Sequence, residues 1–191
     1  MQLAVFVGGR SSRMGRPKGR LLHEGSTLVE RAVAMARATG LTPVLVGDAS
    51  PYADLCLDVP RCSDEPAGVG PLGGLRAVLR RGPALALACD MPYVTAASIR
   101  RLQTAPGSEV LVAERDGRFE PLFARYEPSL LPSLEAYLAE GQRAFQPWLR
   151  GLDGEGRLSR VEMAQGTLRD WDRPADLHQH HGGEGSGESG R

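Results

Sequence analysis

Leu3-Ala4-Val5-Phe6-Val7-Gly8-Gly9 is the stretch that decides the fold. Residues 3–7 are apolar without alternation and stop at two glycines, which reads as a strand buried on both faces that ends in a loop. Runs of the same kind recur at 42–46, 84–89 and 109–113, each bounded by glycine, proline or charge. Between them lie stretches with helical spacing: 27–38 with Ser26 as its cap, 74–81, and 96–102 with Thr95 as its cap. Buried strands alternating with helices predict right-handed crossovers, and hence a Rossmann-like α/β fold with a doubly wound, mostly parallel sheet.

The second half changes character. Residues 119–126 alternate but contain Pro121, which removes a ladder donor, so a strand or bulged strand near a sheet edge is expected. Residues 130–138 and 144–149 read as helices, and 158–163 as a late strand. From His178 onward His, Gly, Ser and Glu dominate and apolar periodicity is lost, so 178–191 is expected to be a disordered tail behind a single domain at 1–177. His178, His180 and His181 have no carboxylate or thiol arranged around them and read as solvated rather than metal-binding.

A length of 191 residues suits one domain with a sizeable core. Its 23 basic residues balance 23 acidic ones, so nothing announces a nucleic-acid or membrane-surface partner, and a small molecule is expected instead. No apolar run approaches the ~20 residues of a membrane span, and the N-terminus lacks a signal-peptide pattern, which predicts a cytoplasmic protein. Cys56, Cys62 and Cys89 are odd in number and form no Cys-x-x-Cys pair, so reduced and mostly buried thiols are expected rather than disulfides or zinc. Of the 23 basic residues 22 are arginine, and Lys18 is the only lysine. A chain that uses arginine everywhere else but keeps one compact ammonium singles out that position.

Lys18 closes the segment Gly8-Gly9-Arg10-Ser11-Ser12-Arg13-Met14-Gly15-Arg16-Pro17-Lys18, directly after the first strand. Ligands of open α/β sheets sit at the carboxyl ends of the strands, which is where this loop falls. Its glycines let backbone N–H groups approach anionic oxygens, and Arg13 with Lys18 would bring full positive charge to a triphosphate. It is not a Walker A loop, since Gly-x-x-x-x-Gly-Lys-Ser/Thr is missing. Nor is Gly68-Val69-Gly70-Pro71-Leu72-Gly73 a dinucleotide fingerprint, because a loop-like 63–67 precedes it and Pro71 has no N–H. Asp90 ends the apolar run 84–89, with Met91-Pro92 terminating it. A carboxylate at the ligand edge suits Mg²⁺, and the competing reading is a cap on the following turn. Trp148 and Trp171 read as packing residues.

The segment from Phe6 to Lys18 resembles the signature Leu-Ala-Gly-Gly-x-Ser-x-Arg-Met-Gly-x-x-Lys of the molybdenum cofactor guanylyltransferase family. The likeness continues through Gly70-Pro71-Leu72-Gly73-Gly74, Cys89-Asp90-Met91-Pro92-Tyr93 and Pro121-Leu122-Phe123, and spans residues 2–177. It implies a nucleotidyltransferase fold of the nucleotide-diphospho-sugar-transferase type. It also implies that the backbone of Phe6, Val7, Gly8 and Gly9 lines the nucleoside, that Lys18 meets the phosphates, that Asp64 and Asp90 contact GTP, and that the loop at Gly70 helps enclose the nucleotide. Asp90 would hold Mg²⁺, with Arg13, Lys18 and Asp90 as the catalytic set. The Gly8-Gly9 pair goes with guanylyl transfer, whereas cytidylyl relatives tend to Ala-Gly.

The reaction so implied moves GMP from GTP to the phosphate of molybdopterin, giving molybdopterin guanine dinucleotide and pyrophosphate, with transient contact to molybdoenzymes or cofactor chaperones afterwards. Val7 replaces the family's alanine. More consequentially, the family's Asn-x-Asn-Thr-Pro near the C-terminus, associated with the acceptor, stands here as Asp170-Trp171-Asp172-Arg173-Pro174. A carboxylate only accepts hydrogen bonds and would repel a phosphorylated acceptor. Asparagine is absent from the whole chain, however, so compositional drift explains the change equally well. The alternatives are a same-fold enzyme using CTP or another phosphorylated acceptor, and a GTP-binding paralogue without turnover. Retention of Asp90 favours turnover.

Overall fold

Successive residues of the first strand face opposite ways, and both directions are buried: Leu3 and Val5 in one core, Ala4 and Phe6 in the other. A computed structural model describes residues 1–8, 17–65 and 68–171. In chain order these form β1 (Gln2–Phe6), a short hairpin of β2 (Leu22–His23) and β3 (Ser26–Thr27), α1 (Leu28–Ala38), β4 (Thr42–Val46), β5 (Arg61–Cys62), α2 (Pro71–Leu79) and β6 (Ala84–Ala88). There follow α3 (Ala96–Thr104), β7 (Val110–Arg115), β8 (Arg118–Tyr126), α4 (Leu131–Ala139), α5 (Phe145–Gly154) and β9 (Leu158–Val161). Seven strands make one sheet in the order β5-β4-β1-β6-β8-β7-β9, and only β8 runs against the rest. The doubly wound, mostly parallel sheet expected from the apolar runs is present.

The helices divide between the two faces. Val29, Ala32, Val33 and Ala36 of α1 pack with Ile99 and Leu102 of α3 over Leu3, Val5, Leu85 and Leu87. On the other face α2, α4 and α5 cover Ala4, Phe6, Val44, Val46 and Ala86. From β1 the chain crosses by α1 to β4 on one side, and it returns from β5 by α2 to β6 on the other. Strand order thus reverses between β1 and β6. Opposite directions of crossover with one handedness require opposite faces for α1 and α2, as observed.

Three local details differ from the sequence reading. The cap of α1 is Thr27, not Ser26: the Glu30 N–H donates to Thr27 Oγ1 at 3.3 Å, and the Glu30 carboxylate accepts from the Thr27 N–H at 2.9 Å. This reciprocal pair satisfies two orphan donors, while Ser26 is committed to the β2–β3 hairpin. Helix α2 starts at Pro71, ahead of the expected residue 74, because proline at the first helical position is pre-organised and loses nothing there. Strand β8 lies inside the sheet between β6 and β7, rather than near an edge. Pro121 is tolerated there because the β7–β8 register jumps from Val112↔Ala124 to Ala113↔Glu120, so residues 121–123 bulge away from β7. The late strand β9 occupies the sheet edge, parallel to β7. Cys62 is buried and Cys89 partly so, but Cys56 is exposed; all three are unbridged thiols.

Candidate active site

The crevice of an open α/β sheet opens at the carboxyl ends of the strands where strand order reverses. Here that point lies between β1 and β6. The Cys89 N–H donates to the Phe6 carbonyl at 3.2 Å and the Val7 N–H to the Val46 carbonyl at 3.0 Å, so both groups are engaged in the sheet. Backbone available to a ligand therefore begins at the Val7 carbonyl and Gly8, where the strand has ended. Gly9 and Arg13, with the rest of the loop to residue 16, lie outside the described residues, as do Asp172, the three tail histidines and the tail itself.

Where the chain is next described, Pro17 leads into a single 3-10 turn, Lys18–Arg20. The Lys18 ammonium lies 2.6 Å from a carboxylate oxygen of Asp90, across 72 positions of sequence. Their side chains are 22% and 18% exposed, so the pair is shielded yet open to an incoming ligand. The Asp90 carboxylate meets an ammonium rather than a turn amide, which removes the support for the capping alternative. Lysine, carboxylate and strand ends thus converge on one edge.

Asp64 follows β5 at that edge, and burial raises its carboxyl above the ordinary range. It borders Gly74 in the first turn of α2: a Cβ added there would lie 2.4 Å from Val46 Cγ1, 3.0 Å from Asp64 Oδ1 and 3.1 Å from Phe6 Cε1. The absence of a side chain lets α2 press onto the ends of β1 and β4, with Gly70 as its N-cap beside the crevice. Gly74→Ala is therefore expected to push the first turn of α2 outward and cost about 1–3 kcal/mol of stability, the usual range for overpacking. Urea unfolding would register it as a lower midpoint with unchanged slope, and an unchanged midpoint would contradict the close packing.

The far side of the site was not foreseen. The chain returns after β9 so that the Trp171 N–H donates to the Asp90 carbonyl at 3.0 Å. The Trp171 ring is buried against His23 and Tyr93, edge to face, with centroids 5.3 and 6.4 Å away. Arg115, at the end of β7, lies 3.1 Å from Glu120 and 3.7 Å from Asp170, and also donates to the Leu168 carbonyl. Asp170 thus lies near an arginine that it shares with Glu120, which offsets part of the repulsion expected from Asp in place of Asn. Glu120 is raised by burial, partly countered by Arg115. Beside them is a cavity of about 680 Å³ lined by Arg115, Asp116, Met163, Gln165 and Arg169 among others. Neither Arg115 nor Glu120 was singled out from the sequence. The signal that finds them is Asp116-Gly117, a two-residue hairpin turn that brings the end of β7 beside the start of β8.

Whether Mg²⁺ suits this donor set is answerable from its chemistry. Among the described residues there is no group of three or more His, Cys, Asp or Glu side chains placed to hold a metal. Mg²⁺ is usually held by one or two carboxylates, with phosphate and water oxygens completing its shell. Asp90, with Asp64 on the same edge, fits that pattern of one or two carboxylates.

A strand-end crevice at the reversal point, with a lysine and a carboxylate meeting in it, is where doubly wound α/β proteins take their ligand. Residues 3–156 match the family model described as a MobA-like NTP transferase domain, and the chain belongs to that family. Among similar proteins, one named probable molybdenum cofactor guanylyltransferase from Opitutus terrae is 35% identical over 184 residues, covering 91% of each chain. A molybdenum cofactor guanylyltransferase from Vibrio cholerae is 33% identical over 150 residues, covering 73% of this chain and 71% of that one. The crystal structure of molybdopterin-guanine dinucleotide biosynthesis protein A from Archaeoglobus fulgidus superposes with a TM-score of 0.73 at 24% identity, over 94% of this chain and 96% of that one. A 2-C-methyl-D-erythritol 4-phosphate cytidylyltransferase from Thermus thermophilus shares the fold more distantly, with a TM-score of 0.66 at 16% identity, over 93% and 96%.

Proposed function

We propose that this chain transfers GMP from GTP to the terminal phosphate of molybdopterin, releasing pyrophosphate. The observation that carries the reading is the meeting of Lys18 and Asp90 at the switch point of the sheet, in a chain whose relatives named guanylyltransferases match it over most of its length. In the reaction an acceptor phosphate oxygen forms a bond to the α-phosphorus as the bond from that phosphorus to the bridging oxygen of pyrophosphate breaks. A phosphate monoester is largely ionised at neutral pH, so no general base is required. What the protein must supply is alignment and offset of charge.

Lys18 is suited to the second task, since a compact ammonium can follow charge from the triphosphate to the leaving pyrophosphate. Arg13 would contribute a second cation from the glycine loop. Asp90, helped by Asp64, would hold Mg²⁺, which when bound supplies Lewis-acid stabilisation of phosphoryl oxygens. The Lys18–Asp90 contact then opens as the ammonium turns to phosphate. The backbone at Gly8, where β1 has ended, and at Gly9 would line the nucleoside, and Gly70 would border the opposite wall.

The reading carries a cytoplasmic location and hand-over of product to molybdoenzymes or their chaperones. Two observations support the first: no described helix is long and apolar enough to cross a membrane, and the three thiols are unbridged. The base assignment has its own test. GTP with Mg²⁺ is expected to raise the melting temperature more than CTP or ATP with Mg²⁺, because a ligand that binds only the folded state stabilises it. Equal shifts for all three would remove guanine selectivity, and a larger shift with CTP would favour the cytidylyl reading.

A further inference from the structure

Lys18 stands in a single 3-10 turn, and one isolated turn has too few hydrogen bonds to hold its own shape. Something else must set where its ammonium points. Gly19, the next residue, is buried against the side of Tyr52: a Cβ added at Gly19 would lie 2.8 Å from both Tyr52 Cε1 and Tyr52 Oη. Tyr52 itself is 1% exposed, in the 3-10 segment Ser50–Leu55 that joins β4 to β5. Burial pushes its hydroxyl up to about 12, so it stays neutral, with Gly19 packed against both its ring edge and its oxygen.

The residue after Gly19 makes a second attachment to the same segment. Arg20 Nε donates to the Pro51 carbonyl at 2.7 Å, and its guanidinium also meets the Asp54 carboxylate. The turn is thus fixed at two successive residues to one piece of chain, while Lys18, immediately before them, reaches Asp90. Exposed ion pairs of this kind add little to global stability, so their effect is on geometry.

Resting on the reading that the site takes a nucleoside triphosphate, we propose that Tyr52 is a positioning residue for Lys18. With Arg20, it seats the Lys18–Arg20 turn on the 50–55 segment, so that the ammonium is presented to the phosphates beside Asp90. Neither residue touches substrate; both act through Lys18.

The test is a double-mutant cycle. Tyr52→Phe removes the hydroxyl and keeps the ring, and Arg20→Ala cuts the second attachment at the surface, where folding is not at stake. Each is made in the wild-type and Lys18→Ala backgrounds, and affinity for a fluorescent GTP analogue with Mg²⁺ is measured beside the melting temperature. Each change should weaken binding about tenfold when Lys18 is present and less than about twofold when it is absent, because a contact that works through one side chain loses its effect with it. In turnover the KM for the acceptor should stay unchanged. Equal losses in both backgrounds would make Tyr52 and Arg20 merely structural and overturn the proposal, as would wild-type affinity in both variants. A wild-type protein that binds no GTP overturns the nucleotide reading itself, a result distinct from either.

Discussion

Asp90→Asn should lower turnover by about 100-fold or more while the protein stays folded, because metal and oxyanion stabilisation lost from a phosphoryl-type transition state is of that order. The side chain keeps its size and one oxygen. Its backbone carbonyl still accepts from Trp171, so the return of the C-terminal segment is preserved. What is lost is the charge facing Lys18 and available to Mg²⁺. Because both side chains retain access to water, the ammonium can rehydrate, and the stability cost should be about 1 kcal/mol. Partial recovery at raised Mg²⁺ or with Mn²⁺ is expected. Melting temperature and pyrophosphate release measured on one preparation decide the matter: a stable, inactive variant supports the metal role, whereas an unstable variant active per folded molecule returns Asp90 to structure.

Lys18→Ala should be comparably damaging, by about 100-fold in kcat/KM, since one well-placed cation is worth several kcal/mol once desolvated against phosphate. Lys18→Arg should recover little of this. The guanidinium is a planar fork that spreads its charge, whereas the geometry at Asp90 is that of a compact ammonium at 2.6 Å. Steady-state kinetics with GTP varied at saturating acceptor would reveal the loss. Near-normal activity in the arginine variant would mean that the chain's solitary lysine is incidental.

The parts of this site legible in the sequence share one physical property, that their signal is local. β1, β4, β6 and β7 each contain an unbroken apolar run because both their faces are covered, so each announces itself. The rule that ligands lie at strand carboxyl ends then placed Lys18 and Asp90 on one edge, although 72 positions separate them. The inner position of β8 is hidden by Pro121, which marks an edge only where no bulge absorbs it, while the Asp116-Gly117 turn, with both residues at positive φ, signals a tight hairpin. β5 has two residues, too few for any periodic signal. The contacts of Tyr52 with Gly19, Trp171 with Asp90 and Arg115 with Asp170 are tertiary, and no spacing along the chain encodes them.

Arg115 also bears on the acceptor. Asp170 in place of the family's asparagine would place an uncompensated anion beside a phosphorylated substrate, but here that anion shares with Glu120 a cation 3.7 Å away, which offsets part of its charge. The substitution is therefore less unfavourable to a phosphorylated acceptor than the residue change alone implies. The most direct measurement incubates the full chain with GTP, Mg²⁺ and molybdopterin and follows pyrophosphate together with the pterin product. The account predicts molybdopterin guanine dinucleotide formed in step with pyrophosphate, dependent on all three components and slower with CTP. Bound GTP with no dinucleotide formed, or faster transfer from CTP, would contradict it.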